Sequence, residues 1–288
     1  MSPRTATLIG LTAILMWSLL SVMTVATGAL PPFQLMAMTF AIGAAASFAI
    51  RPSAIRALKQ PWPAMLVGVG GLFGYHALYF VALRLAPPAE AGLLNYLWPL
   101  LIVLLSSLLP GERLRAHHIV GALCGFAGTV LLLAGNIDLM ATPSQAAGFI
   151  AALAAAFVWA GYSVMSRRLK AVPTDAVAGF CLVTAVLAAM VHFAIETTAS
   201  PQGVVAWLSI AALGLGPVGL AFYTWDIGMK RGDIRVLGAA SYATPLLSTA
   251  FLILAGYAQP SANIAIAAAL IAGGGLIAAK DMVGKKSS

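Results

Sequence analysis

Gly92-Leu93-Leu94-Asn95-Tyr96-Leu97-Trp98-Pro99-Leu100-Leu101 and Gly238-Ala239-Ala240-Ser241-Tyr242-Ala243-Thr244-Pro245-Leu246-Leu247 are one pattern written twice, G-x-x-[NS]-Y-x-x-P-L-L, 146 residues apart. A shift of 142 lays Trp17, Ser21, Val22 and Met23 over Trp159, Ser163, Val164 and Met165. The four-residue difference fits a change in one connection. Chance matches are easy in a chain this rich in Leu and Ala, but paired tryptophans and a shared Tyr-x-x-Pro are not. The chain therefore reads as an internal duplication, with a first repeat over 1–140 and a second over 141–288.

Working outward from the repeat, 61% of the 288 residues are hydrophobic and only 8% charged, with a mean hydropathy of +0.96. Soluble domains carry about 25% charged residues. Cutting wherever charge, proline or polar residues interrupt the apolar runs gives ten segments. They begin near Leu8, Phe33, Pro63, Ala89, His117, Ala146, Thr174, Val204, Val236 and Asn263. Each is long enough to cross a bilayer as a helix, which takes roughly 20 apolar residues. Ten such spans leave roughly six residues per connection, too few for a soluble domain. The run from Ala6 to Ala26 exceeds the roughly 7 to 15 apolar residues of a signal peptide and is read as a retained first span. Cys124 and Cys181 lie inside spans without a second Cys or His at ligand spacing, so they read as packing residues, and no metal or cofactor is expected.

The net charge of +8 would suggest a nucleic acid if it lay on one face, yet the basic residues fall in alternate loops. Arg4; Arg51, Arg56 and Lys59; Arg113 and Arg115; Arg167, Arg168 and Lys170; Lys230, Arg231 and Arg235; and Lys280, Lys285 and Lys286 put 15 of the 16 on one side, with Arg84 opposite. That pattern is topology, not a polyanion site. It predicts a multi-pass membrane protein with both termini in the cytoplasm. Five spans per half is an odd number, so the second half enters from the opposite face. The expected fold is all-α, ten transmembrane helices in two inverted-topology repeats, a design typical of secondary transporters that hold substrate near the midplane between repeats.

Trp17 and Trp159 in the first helix of each half, the Pro99 and Pro245 motifs, and Gly111-Glu112 after the fourth helix resemble the drug/metabolite transporter superfamily, EamA type. The resemblance covers nearly the whole chain. Within the superfamily, Tyr75-His76-Ala77-Leu78-Tyr79-Phe80 followed by Asn95-Tyr96-Leu97-Trp98-Pro99 is similar to exporters of aromatic amino acids. The resemblance implies a secondary transporter that exports aromatic, and more widely hydrophobic, amino acids by alternating access. The Gly-Glu pair is not repeated, because Gly111 and Glu112 align with Tyr257 and Ala258, which argues against a symmetrical role for it.

Trp17 lies about ten residues into its span, close to mid-membrane at about 1.5 Å per residue. Trp159, Tyr96, Trp98 and Tyr242 are also near the middles of theirs, whereas Trp62 and Trp207 near span starts read as interface anchors. His76 and Tyr79 share a helix face. A buried hydroxyl, imidazole or indole N–H finds no partner among lipid tails, so these groups are expected to face the protein interior or a wet cavity. Trp17, Trp159, Trp98, Tyr96, Tyr79 and Tyr242 are expected to line a pocket for a flat apolar side chain, with His76 and Asn95 orienting its polar groups. Helix packing around the 28 glycines is the alternative, and a ligand cation over the rings is an equally legal use that keeps a multidrug exporter in play. Pro99 and Pro245 each remove a backbone hydrogen bond and free a carbonyl one turn earlier, at Asn95 and Ser241. With Gly92 and Gly238 on the same faces they read as hinges, against a simple packing kink.

No carboxylate is central. Asp226 is expected to pair with Lys230 and Arg231 at a membrane edge, and Glu196 to be solvated. His76 is read as neutral because burial disfavours the charged ring. A zwitterion needs no charge compensation, so gradient-driven export is the default and proton antiport the alternative. Catalytic signatures are missing: there is no G-x-S-x-G or H-E-x-x-H, His192 stands alone, and adjacent His117 and His118 should point about 100° apart. A channel would show rings of charge or filter-like carbonyl sequences. Gly121, Gly125 and Gly128, with Gly273, Gly274 and Gly275, suggest close helix packing or a dimer surface, and a monomer is the default functional unit.

Overall fold

Prolines and hydroxyls open several of the helices. In the computed structural model, which describes residues 1–111, 113–133, 143–256 and 259–280, α1 (Pro3–Ser18) starts with the Ser2 hydroxyl accepting from the Thr5 N–H at 3.2 Å. Pro3 sits where its missing N–H has no intrahelical role. Glu112, Tyr257, Ala258, Lys285, Lys286 and the expected boundary at 140–141 lie outside the described residues. After a turn at Leu19 come α2 (Leu20–Ala26), α3 (Pro32–Ile50), a 3-10 helix at Pro52–Leu58 and α4 (Trp62–Val69). A π-helical turn, Gly70–Gly74, leads α4 into α5 (Tyr75–Leu85). The first motif is split between α6 (Pro88–Asn95) and α7 (Trp98–Ser106), and α8 (Ala116–Leu133) follows. The later residues form α9 (Pro143–Arg168), α10 (Ala176–Ile195) and α11 (Gly203–Leu215), a second π-helical turn at Gly216–Leu220, then α12 (Ala221–Arg231). The second motif is split between α13 (Ile234–Ala240) and α14 (Ala243–Leu254), before α15 (Ala262–Ala278). No strand occurs among the described residues.

Among the described residues, seven helical stretches are long and apolar enough to cross a membrane: Pro3–Ala26, Pro32–Ile50, Trp62–Leu85, Gln145–Arg168, Ala176–Ile195, Gly203–Arg231 and Ile234–Leu254. Glu90–Ser106, Ala116–Leu131 and Ala262–Ala278 are shorter apolar helices. The most extensive packing joins early helices to late ones: α8 on α15, α3 on α10, α1 on α12 and α5 on α9. Neither end of the chain builds a core of its own. Small residues make this closeness feasible. A Cβ on Gly121 would lie 2.5 Å from the Gly274 carbonyl oxygen, and one on Gly274 would meet the Gly121 oxygen at the same distance. The glycine-rich faces of α8 and α15 are therefore spent on each other, while Gly273 and Gly275 face open space.

The two ends of the bundle differ. At one, where Arg and Lys collect, polar bonds tie early and late segments together. Thr7 Oγ1 accepts from the Asp233 N–H at 2.8 Å, Arg235 donates to the Arg113 carbonyl at 2.7 Å, and Arg51 pairs with Asp175 at 3.1 Å. Gly10 and Gly228 bring α1 and α12 into backbone contact, for a Cβ on Gly228 would stand 2.8 Å from the Gly10 Cα. Asp226 and Lys230 form the expected ion pair at 2.9 Å, both buried, with Thr174 donating to the same carboxylate.

At the opposite end Glu196 is buried, its side chain 2% exposed, which corrects the expectation that it is solvated. The N-terminus of α3 demands an acceptor, and Glu196 takes the N–H groups of Phe33 and Gln34 at 3.2 Å each. His192 is not alone either: its Nδ1 lies 2.9 Å from Glu196 and its Nε2 2.9 Å from the Thr198 hydroxyl. His117 and His118 also depart from expectation, because their rings turn toward each other with centroids 4.1 Å apart at the start of α8. Trp62 and Trp207 are exposed, as anchors should be.

Candidate functional site: a cavity walled by aromatic rings

Tyr75, His76 and Tyr79 are presented by α5, which leaves the first π-helical turn at Gly74. His76 Nδ1 lies 2.6 Å from the Leu72 carbonyl inside that turn. A carbonyl only accepts, so the neutral ring carries its proton on Nδ1 and keeps a lone pair on Nε2. The second π-helical turn does the same service for Trp17, whose indole Nε1 donates to the Pro217 carbonyl at 3.0 Å. Widening a helix to π geometry misaligns carbonyls from their usual partners, and both misaligned turns hold a cavity side chain.

These groups meet at one cavity of about 230 Å³. Seven of the eight expected site residues line it: Trp17, His76, Tyr79, Asn95, Tyr96, Trp98 and Trp159. Trp159 is the hub of the wall. Its ring centroid lies 5.5 Å from Trp17, 5.2 Å from Tyr75, 6.3 Å from Trp98 and 5.9 Å from Phe222. Trp17 and Trp98 meet it edge-on at 77° and 82°, the favourable disposition for ring quadrupoles. Among the described residues lining the cavity, none is Asp, Glu, Lys or Arg. Such a wall offers ring faces and edges for stacking and no charged side chain as a partner.

The arrangement has counterparts. The model of the EamA-like transporter family matches residues 4–134 and again 146–280. The chain belongs to that family, within the drug/metabolite transporter superfamily. It is 57% identical over 284 residues to the aromatic amino acid exporter YddG of Ancylobacter novellus, covering 96% of this chain and 98% of that protein. To the protein of the same name from Escherichia coli K12 it is 27% identical, with 96% and 97% covered. A solved crystal structure 55% identical in sequence superposes with a TM-score of 0.92 over 99% of this chain and 100% of its own. This EamA-type protein is thus a multi-pass membrane transporter of small molecules, and not an enzyme.

Tyr242, the eighth expected site residue of this EamA-type transporter, is placed elsewhere. It is fully buried between α8 and α7: Gly125 leaves room for its ring, and its hydroxyl accepts from the Leu100 N–H at 3.2 Å. That N–H needs an outside acceptor because the chain turns at Tyr96 and Leu97 instead of continuing the helix. The two motifs therefore grip each other, with Tyr242 as the fastener. Gly238 packs against the same helix, where a Cβ would fall 2.9 Å from Val103 and 3.1 Å from the Pro99 carbonyl oxygen. Gly92 is looser, with the Tyr79 hydroxyl 3.8 Å from a Cβ placed there. Both motifs do break their helices just before Pro99 and Pro245, at 96–97 and 241–242. The Ser241 carbonyl is not left free, however, since the tightened turn lets it accept from the Thr244 N–H at 3.0 Å.

Sequence reasoning passed over eight lining residues, Leu20, Ser21, Pro217 and Val218 among them. Tyr75 lines the cavity and its hydroxyl accepts from Asn95 Nδ2 at 3.1 Å. Phe222 adds a ring to the wall, and Thr244 and Ser248 line it from α14. Tyr75 stood in the aromatic stretch already quoted, so its signal was present. Phe222 and Ser248 had none beyond helix register.

Proposed function

We propose that this transporter exports aromatic amino acids from the cytoplasm across the bacterial inner membrane by alternating access. The observation that carries the reading is the convergence of seven side chains, from residues 17 to 159, on one uncharged, ring-walled cavity. The names of the relatives from Ancylobacter novellus and Escherichia coli support the same substrate class. Ten membrane spans in two inverted five-helix repeats, 1–140 and 141–288, complete the architecture, with both termini cytoplasmic as the basic residues favour. The family's match over 4–134 and again over 146–280, and two π-helical turns 146 residues apart, support the duplication.

In this reading Trp17, Trp98, Trp159, Tyr96 and Tyr79 stack around the substrate ring, and His76 and Asn95 orient its polar groups. Pro99, Pro245, Gly92 and Gly238 mark where each motif helix bends as the halves rock. Neutral His76 makes transport follow the substrate gradient.

The test is uptake of labelled Phe, Leu and a cationic dye into liposomes holding the purified protein, with and without a pH gradient. Saturable Phe flux, indifferent to the gradient and lowered by His76→Ala or Trp98→Ala in folded protein, is expected. Dye flux without Phe flux would replace the reading with a multidrug exporter. Acceleration by the gradient would make His76 a proton carrier.

A further inference from the structure

Most hydroxyls on these helices bond backward to a carbonyl of the preceding turn, the ordinary habit of Ser and Thr in helices. Ser241 does so to Leu237 at 2.7 Å and Thr249 to Pro245 at 2.9 Å, while Ser248 donates to the Ser21 hydroxyl at 2.7 Å. Thr244 breaks the habit. Its Oγ1 is buried and has no hydrogen-bond partner. Asn95 Oδ1 is in the same condition, its amide nitrogen being committed to the Tyr75 hydroxyl. Of the buried, unpartnered side-chain polar atoms among the described residues, these two line the cavity. A buried polar atom left unpaired is costly, which marks both as waiting for a ligand group.

Their chemistry is complementary. Asn95 Oδ1 only accepts, whereas the Thr244 hydroxyl can donate. They also occupy motif positions at which the repeat is unequal, for Asn95 aligns with Ser241 and Thr244 with Trp98. A duplicated site can read an asymmetric ligand only through positions where the copies differ. We propose that Asn95 Oδ1 receives the α-ammonium and the Thr244 hydroxyl donates to the α-carboxylate, so that the pair selects zwitterionic amino acids over aromatic amines and aromatic acids. This rests on the amino acid reading above and adds Thr244 as a specificity-determining residue.

The experiment is competition against labelled Phe flux in liposomes by unlabelled Phe, 2-phenylethylamine, which lacks the carboxylate, and 3-phenylpropionate, which lacks the ammonium. Each analogue should compete at least about tenfold more weakly than Phe, the loss of one hydrogen bond to a charged group. Thr244→Val should weaken Phe about tenfold and leave 2-phenylethylamine unchanged, with Thr244→Ser restoring Phe. Asn95→Leu should weaken Phe and spare 3-phenylpropionate. Should that variant fail to fold, Asn95→Asp should instead tighten 2-phenylethylamine and loosen 3-phenylpropionate. Analogues that compete as well as Phe, or a Thr244→Val that weakens Phe and 2-phenylethylamine alike, would overturn the pairing while the exporter reading stands. Absence of saturable Phe flux would overturn both.

Discussion

The indole nitrogen of Trp17 donates to the carbonyl of Pro217 across 200 positions of sequence, at 3.0 Å. That bond ties the early motif tryptophan to the second π-helical turn, so the cavity wall and the irregular backbone behind it are one unit. His76 repeats the relationship locally with Leu72 in the first turn. Each π-helical turn is held in shape by a side chain that also lines the cavity.

Trp17→Phe should therefore lower thermal stability by about 1–3 kcal/mol, the cost of a buried carbonyl losing its donor, while most of the ring packing survives. Thermal unfolding in detergent reads this directly. An unshifted midpoint would mean the Pro217 carbonyl finds another donor and the bond is incidental. Phe flux should fall as well, because the second π-helical turn also contributes Pro217 and Val218 to the lining.

Contact between Gly10 and Gly228 makes a sharper case, since backbone, not a flexible side chain, would meet the new atom. Gly228→Ala places its methyl 2.8 Å from the Gly10 Cα, and overpacking of this kind costs about 1–3 kcal/mol. If the halves rock apart at the basic end, the clash is relieved in the other state. Accessibility of a cysteine introduced beside Thr7 should then rise along with the loss of stability. Unchanged accessibility would argue that this end does not open.

Glycine positions that look equivalent in the motif should also part company. Gly238→Ala meets Val103 at 2.9 Å and the Pro99 carbonyl oxygen at 3.1 Å, whereas Gly92→Ala meets the Tyr79 hydroxyl at an ordinary 3.8 Å. Stability should fall by about 1–3 kcal/mol for the first and stay within about 1 kcal/mol for the second. Equal losses would show that both motif helices are packed alike.

Much of this was legible in the sequence, and the reasons are particular. Trp17, Trp159 and Trp98 were found because an indole at mid-span has no interface to reach, so it must turn inward. Asp226 was assigned to an ion pair because Lys230 stands one helical turn away. Tyr242 misled because depth in the bilayer is readable from position, but the direction a side chain faces depends on neighbours such as Gly125. Glu196 misled for the opposite reason: ending an apolar run suggests solvent, and only the fold reveals that the start of α3 comes to meet it. The π-helical turns left no signal beyond glycines, which occur throughout the chain.

Asp233 gives the pH dependence. It caps α13, accepting from the Arg235 and Val236 N–H groups at 3.1 and 3.3 Å, and pairs with the Arg235 guanidinium at 3.1 Å. Burial alone would push its carboxyl up, but the hydrogen bonds and charge of Arg235, with the backbone donors, outweigh burial and hold it below the usual carboxylate value. A carboxyl depressed in the folded state stabilises fully above its unfolded value and loses that contribution as pH falls through the folded one. Thermal stability should therefore hold down to about pH 5 and decline as pH falls below it, and Asp233→Asn should flatten part of that slope. An identical slope in the variant would place the acid sensitivity elsewhere.

Glu196 supplies the last test. Its carboxylate satisfies two backbone N–H groups at the start of α3 and meets His192 at 2.9 Å, all buried. Arg84, half exposed at 3.4 Å, adds little through solvent-screened charge. Glu196→Gln keeps the shape but offers one acceptor oxygen where two are used, and turns an amide N–H toward a donor. Loss of charge-assisted bonds of this kind costs about 1.5–3 kcal/mol, so the melting temperature should fall measurably. The cavity residues do not touch Glu196, so the rank order of competing substrates should be kept in the variant. A changed rank order with an unchanged melting temperature would make Glu196 part of the substrate path, not a clamp on the start of α3.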